Sequence, residues 1–179
     1  KKNCVYNPRT HAGHITSHLM KVLGIIPSRY ASSRFPGKPL IDLDGKSMIQ
    51  RVYERSSAAK HLTRVVVATD DQRIFDHVKA FGGEVVMTSS DHLTGTDRCV
   101  EAFNIINEDF DAVINIQGDE PVINPNQLDL LAFSFNDEHT EIATLAVKIK
   151  TDDILFDASK IKVVLDENKQ ALYFSRHSI

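Results

Sequence analysis

Four short runs of apolar and β-branched residues, 21–26, 65–68, 84–87 and 112–116, alternate with stretches of helical periodicity, and this alternation constrains the fold most. Runs so short read as buried strands. After the first, residues 47–60 place Met48, Ile49, Val52, Tyr53 and Ser56 or Ala59 on one helical face. After the second, Asp70 or Asp71 caps a helix carrying Ile74, Phe75, Val78 and Phe81, which stops at Gly82-Gly83. A third helix turns Cys99, Val100, Phe103 and Ile106 inward. A fourth starts at Asn124-Pro125, N-cap then first turn, and runs through Leu128, Leu131 and Ala132. Residues 142–149 read as a fifth strand, and 162–165 with 171–174 as a hairpin turning at 166–168. Strands separated by helices make βαβ units. The expected class is α/β, a mostly parallel sheet flanked by helices with an antiparallel hairpin near the end.

In such sheets ligands bind beyond the carboxyl ends of the strands. The loops after the first, third and fourth runs are the oddest in composition, which argues for one site built from all three. Residues 25–40 read IIPSRYASSRFPGKPL: Pro27 breaks the apolar run, and Arg29, Arg34 and Lys38 follow among Ser28, Ser32, Ser33 and Gly37. Arginine grips phosphate oxygens in pairs, lysine adds a point charge and backbone N–H groups complete a cradle, so the loop suits a polyphosphate. The plain alternative is a solvated basic loop. No Walker A pattern is present, which disfavours an NTPase of that type.

Asp119, in QGDEP (117–121), leaves the fourth strand through Gly118, and Glu120 beside it points elsewhere. A carboxylate opposite the cations suits Mg²⁺, which takes one or two carboxylates with phosphate oxygens and water. An Asp capping the next turn is the competing reading. In TSSDHLTGTDR (88–98), Asp91, His92, Thr94, Gly95 and Thr96 offer hydroxyls, backbone groups and a helix start at Thr96. They can read a base edge or ribose, or simply cap the helix. Arg98, one turn in, can reach phosphate or solvent. His92 alone in a loop is more often a hydrogen-bonding residue than a general base, and no catalysis is assigned to it. No Ser–His–Asp or Cys–His spacing calls for a covalent intermediate. Displacement at phosphorus needs mainly positioning, charge neutralisation and a metal.

The 179 residues suffice for one domain with a substantial core. A net charge of −3 argues against a general nucleic-acid binder and makes the basic loop a local feature aimed at a small anion. No apolar run approaches the roughly 20 residues of a membrane helix. Cys4 and Cys99 form no CxxC pair, which fits a reducing compartment. Residues 1–19 are polar and lack the apolar centre of a secretory signal. They read as a flexible added or upstream segment before Met20, with residues 20–179 forming the domain. His11, His14 and His18 have helical metal-binding spacing, which Pro8 and Gly13 undermine.

Five motifs in order, IIPSRYASSRFPGKPL, VVVATDD (65–71), DHLTGTDR (91–98), INIQGDEP (114–121) and KVVLDENKQALYFSR (162–176), resemble the 3-deoxy-manno-octulosonate (Kdo) cytidylyltransferases from Met20 to Ile179. The resemblance implies a nucleotide-diphospho-sugar transferase fold and the reaction CTP + Kdo → CMP-Kdo + pyrophosphate, which activates the sugar for lipopolysaccharide assembly in the bacterial cytoplasm. It implies that Arg29, Arg34 and Lys38 hold the triphosphate and that Asp119 binds Mg²⁺, with Gln117 near the ribose. It matches Ala68, Thr69 and the 91–96 loop to the cytosine side and Arg176 to the Kdo acid, and it suggests a homodimer. The family is longer than this chain, which stops just after YFSR. The part beyond supplies a second metal-binding Asp, further Kdo contacts and the dimer contact, so this chain alone is expected to bind CTP weakly and not to turn over. A sialic-acid cytidylyltransferase shares the fold and the CTP chemistry, but QGDEP and YFSR fit Kdo better. A non-catalytic module of the same fold would have no reason to keep the Arg29, Arg34, Lys38 and Asp119 set.

Overall fold

Val22–Ser28 (β1) is the centre of the molecule's main sheet: Leu23, Ile25 and Ile26 are wholly buried, each contributing roughly 1.5–3 kcal/mol relative to exposure. The computed structural model describes residues 20–31 and 35–179. Two compact parts divide the described chain, one ending at Ala143 and the other spanning Thr144–Ile179.

In the first part, β1 pairs in parallel with Arg64–Thr69 (β2) on one side and with Ala112–Asn115 (β4) on the other. Val85–Met87 (β3) lies outside β2, so the order is β3-β2-β1-β4. Strand residues alternate between two faces. Val22 and Ile26 of β1 pack with Ile49 and Val52 of Met48–Ser57 (α1), Ile74 and Val78 of Gln72–Ala80 (α2) and Leu128 of Pro125–Ser134 (α4). Leu23 and Ile25 face Cys99 and Ala102 of Gly95–Ile106 (α3). Helices therefore cover both faces of a parallel sheet.

Asn124, followed by Pro125, caps α4 as expected, Asp71 rather than Asp70 caps α2, and Ser47, read as the first helical residue, is the N-cap of α1. The third helix starts earlier than Thr96. Thr94 is its N-cap, and Thr94 and Asp97 bond each other's backbone N–H reciprocally. Val100 is 57% exposed rather than inward, because the buried stripe runs through Arg98, Cys99 and Ala102, and Val100 lies 100° beyond Cys99.

Pro27 does not break β1, which continues to Ser28. Ile25 O accepts Ile116 N from the β4 side, and Val22 O accepts Thr63 N from the β2 side, so alternation points position 27 toward β4. The β1–β4 pairing ends at Ile25, so the missing N–H costs no ladder bond.

In the second part, Lys162–Leu165 (β5) and Ala171–Ser175 (β6) form the expected antiparallel hairpin. Asp166 Oδ1 accepts Asn168 N and Gln170 N in the turn, and Lys169 takes the left-handed conformation. Lys162 is buried, with its ammonium on the carbonyls of Asp157 and Arg176 at 2.6 and 2.7 Å. The expected strand over 142–149 is reduced to a single bridge residue, Val147. Ile142 is 90% exposed, and β propensity is realised only against a neighbouring edge. A short helix, Asp152–Phe156 (α5), follows instead, led by Thr151 and two acidic residues in its first turn.

Candidate active site

The strand order reverses at β1: β2 lies on one side, while β4, reached after α3 crosses the opposite face, lies on the other. Open parallel sheets leave a crevice at such a point, beyond the carboxyl ends of the two strands. The chain leaving β1 carries Arg29 and, after a left-handed Gly37, a single 3₁₀ turn at Lys38–Leu40. The chain leaving β4 carries Gln117, Gly118 and Asp119. Lys38 Nζ donates to Asp119 Oδ2 at 2.7 Å, so the two loops meet across the crevice.

Pro27 is the pivot beneath them. A Cβ on Gly118 would stand 3.1 Å from the Pro27 carbonyl oxygen, and one on Gly95 would stand 3.2 Å from Pro27 Cγ. Glycine at both positions lets the β4 loop and the start of α3 close on β1, bringing together the three loops that the sequence singles out.

The loop after β1 is fastened to α2. Tyr30 O accepts Gly37 N at 3.0 Å, and the Tyr30 ring carries the Arg73 guanidinium 3.3 Å from its centre. Arg73 also forks onto Asp71, and that hydrogen bond, ahead of other causes, lowers the Asp71 carboxyl below its ordinary value of 3.8. Arg29 is exposed and has no partner among the described residues, so its charge is available. Arg34 lies outside the described residues, as do His11, His14 and His18.

Asp119 is an exposed carboxylate, its side chain 55% accessible. Among the described residues no group of three metal-binding side chains occurs, and in this crevice Asp119 offers one exposed carboxylate to a cation. That donor set fits Mg²⁺, which completes its shell with phosphate oxygens and water. Gln117 is exposed beside it.

On the β2–β3 side, Ala68 and Thr69 are wholly buried, with Thr69 Oγ1 accepting Asp71 N and Thr69 O accepting Thr88 N. They form a floor and offer no free side-chain group. Above them Asp91 and Thr96 are exposed. His92 Nε2 hydrogen-bonds Glu101, whose carboxylate also accepts Ser89 N at 2.8 Å, and the histidine is the main cause lowering the Glu101 carboxyl. His92 therefore braces the loop. Arg98 goes neither to solvent nor outward toward phosphate: it is 3% exposed, donating to Thr88 Oγ1 at 2.5 Å and Asp70 Oδ2 at 2.9 Å. Cys99 beside it is a buried thiol, pushed up to about 12 by desolvation, so it stays protonated and is no nucleophile.

Within the second part, Arg176 Nη1 lies 3.4 Å from Ala158 O and 3.5 Å from Ser159 O.

Comparisons of the sequence and of the fold with known proteins find close relatives. The model of a family described as cytidylyltransferase matches residues 23–179. A Parabacteroides distasonis protein named 3-deoxy-manno-octulosonate cytidylyltransferase is 54% identical over 90% of this chain and 65% of its own length. A Shewanella putrefaciens protein named 8-amino-3,8-dideoxy-manno-octulosonate cytidylyltransferase is 50% identical over 89% of this chain and 66% of its own. Among solved structures, a CMP:2-keto-3-deoxy-manno-octonic acid synthetase complexed with CTP superposes with a TM-score of 0.81 at 43% identity, covering 88% of this chain and 64% of that one. The chain thus spans just under two thirds of the length of these relatives.

Proposed function

The chain belongs to the cytidylyltransferase family, and from that premise we propose that it transfers CMP from CTP to 3-deoxy-manno-octulosonate, releasing pyrophosphate. One observation carries the reading: Lys38 and Asp119 meet at 2.7 Å across the β1–β4 crevice, with the exposed Arg29 on the same loop as Lys38. Cations facing a carboxylate at a strand switch point suit a triphosphate and its counter-ion.

In this reading Arg29, Arg34 and Lys38 bind the triphosphate, and Arg34 and Lys38 neutralise the departing pyrophosphate. Asp119 holds Mg²⁺, which when bound offsets charge on the phosphate oxygens. Lys38, the partner of Asp119 here, is the residue of this pair that would face phosphate. Gln117 serves the ribose side. Asp91, His92, Thr94, Gly95 and Thr96, over the floor of Ala68 and Thr69, form the cytosine side. Arg176 is assigned to the sugar carboxylate by resemblance. The anomeric hydroxyl oxygen bonds to the α-phosphorus as the bond to the bridging oxygen breaks, that oxygen leaving with the pyrophosphate and the hydroxyl proton passing to solvent. No covalent enzyme intermediate is needed, in keeping with the protonated Cys99. A place in lipopolysaccharide synthesis, a cytoplasmic setting and a homodimer rest on the family resemblance.

The sugar admits a second reading, because the Shewanella putrefaciens relative is named for the 8-amino sugar. The test is pyrophosphate release with CTP and Mg²⁺, offering Kdo, the 8-amino sugar or sialic acid. Release with Kdo at the highest kcat/KM supports the reading. A preference for the 8-amino sugar changes the acceptor, and release with none of the three on the full chain, one of the relatives' whole length, overturns the assignment.

A further inference from the structure

The geometry points to Arg98 as a positioning residue: its buried fork onto Asp70 and Thr88 clasps both ends of the 88–94 loop and so sets how that loop meets the nucleobase. This rests on the reading above, in which the loop takes the cytosine of CTP.

The loop begins at Thr88, where β3 ends, and leaves through Thr94 into α3. Thr88 is 6% exposed, and its backbone N–H donates to Thr69 O at 2.8 Å, which fastens the loop's beginning to the end of β2. Arg98 stands one turn inside α3. Its Nη1 donates to Thr88 Oγ1 at 2.5 Å and its Nη2 to Asp70 Oδ2 at 2.9 Å. One planar side chain thus ties the loop's exit to its beginning and both to the turn after β2. Glu101, a turn further along α3, accepts Ser89 N and hydrogen-bonds His92, bracing the middle of the loop from the same helix.

A guanidinium taken out of water is costly unless its geometry is well satisfied, and apolar residues of similar volume commonly stabilise a core as well. The other arginine ion pairs among the described residues are more exposed: the side chains of Arg64 and Arg73 are 29% and 59% accessible, against 3% for Arg98. A buried fork with two differently placed acceptors specifies distance and angle, which a lysine cannot reproduce. Cytosine and uracil differ at one ring edge, and telling them apart requires polar groups held at hydrogen-bonding distance. A shift of about 1 Å in such groups costs roughly a hundredfold.

The test measures kcat and KM for CTP and UTP on the full chain carrying Thr88→Val, Asp70→Asn or Arg98→Lys, beside the melting temperature. Thr88→Val keeps the shape and removes the acceptor. Each variant is expected to raise KM for CTP about tenfold and to erode the CTP-over-UTP preference about tenfold, with kcat within about threefold of the parent. Arg98→Lys with Thr88→Val is expected to be little worse than either alone, since both break one clasp. Arg64→Ala, at the other edge of the sheet, leaves the preference unchanged. Folded variants with parental KM and preference would overturn the proposal, and Thr88→Val decides it if Arg98→Lys fails to fold. A parent that uses UTP as well as CTP removes the reading beneath it and the proposal together.

Discussion

At the amino edge of the parallel sheet Arg64 lies between Glu84 and Glu108, 2.7 Å from each, and Lys21 donates its backbone N–H to Asp111 at the same distance. At the carboxyl edge Lys38 holds Asp119, also at 2.7 Å, while Arg29 stands without a partner among the described residues. Bond lengths do not tell the two edges apart. The balance of charge and the packing beneath do. At the amino edge one guanidinium is shared by two carboxylates, so the anions outnumber the cation that ties the strand ends together. At the carboxyl edge the cations outnumber the carboxylate that meets them, over glycines drawn tight against Pro27. The first arrangement holds its cation between two anions on strand ends, and the second leaves positive charge where the strands open a crevice.

Substitutions can break that contrast, beginning with the largest effect. Asp119→Ala is expected to lower kcat/KM for CMP transfer by roughly a hundredfold or more, with the melting temperature nearly unchanged because the side chain is half exposed. Pyrophosphate release and thermal unfolding check the two halves. Gly118→Ala places a methyl 3.1 Å from Pro27 O. It is expected to cost about 1 kcal/mol by crowding and, by moving Asp119, about tenfold in kcat/KM. Urea unfolding beside the same assay measures both. Arg64→Ala is expected to cost about 1 kcal/mol or less, since its pairs are solvent-exposed, and to leave kcat/KM as it was. If Arg64→Ala impaired transfer as Asp119→Ala does, the division between the edges would fail.

The smallest effect is one of pH. The Asp71 carboxyl is lowered below 3.8 in the folded chain, chiefly by the Arg73 hydrogen bond. Its contribution is therefore present above the unfolded value and is lost as pH falls through the folded one. Asp71→Asn keeps an N-cap and removes the ionisation. The variant is expected to be less stable than the parent at neutral pH and to lose less stability between about pH 5 and pH 3. Denaturation curves at several pH values test this, and equal acid sensitivity would contradict it.

Much of the parallel sheet was legible because its signals are local and agree: strand runs of Val and Ile, the Asp71 and Asn124 caps, and the glycines after α2. Residues 142–149 show the limit, since a β-branched run states a propensity but not the edge it needs. The α5 helix was missed although Thr151-Asp152-Asp153 carries a helix-start signature. Arg98 was legible as a charge but not as a direction. Its stripe-mate at i+4, the buried Ala102, was the available sign that it turns inward. The meeting of Lys38 with Asp119, 81 positions apart, depends on strand order, which no local pattern contains. The loops that meet there were nonetheless marked by composition, because a polyphosphate site needs charges and glycines that a plain connection does not.

The most direct test of the central claim is calorimetric titration of CTP into the full chain, with and without Mg²⁺, for the parent and Asp119→Ala. Binding that requires Mg²⁺ and weakens about tenfold or more in the variant is the expected result. Equal CTP affinity in both proteins, indifferent to Mg²⁺, would contradict the assignment of Asp119 and the crevice to the metal–triphosphate site.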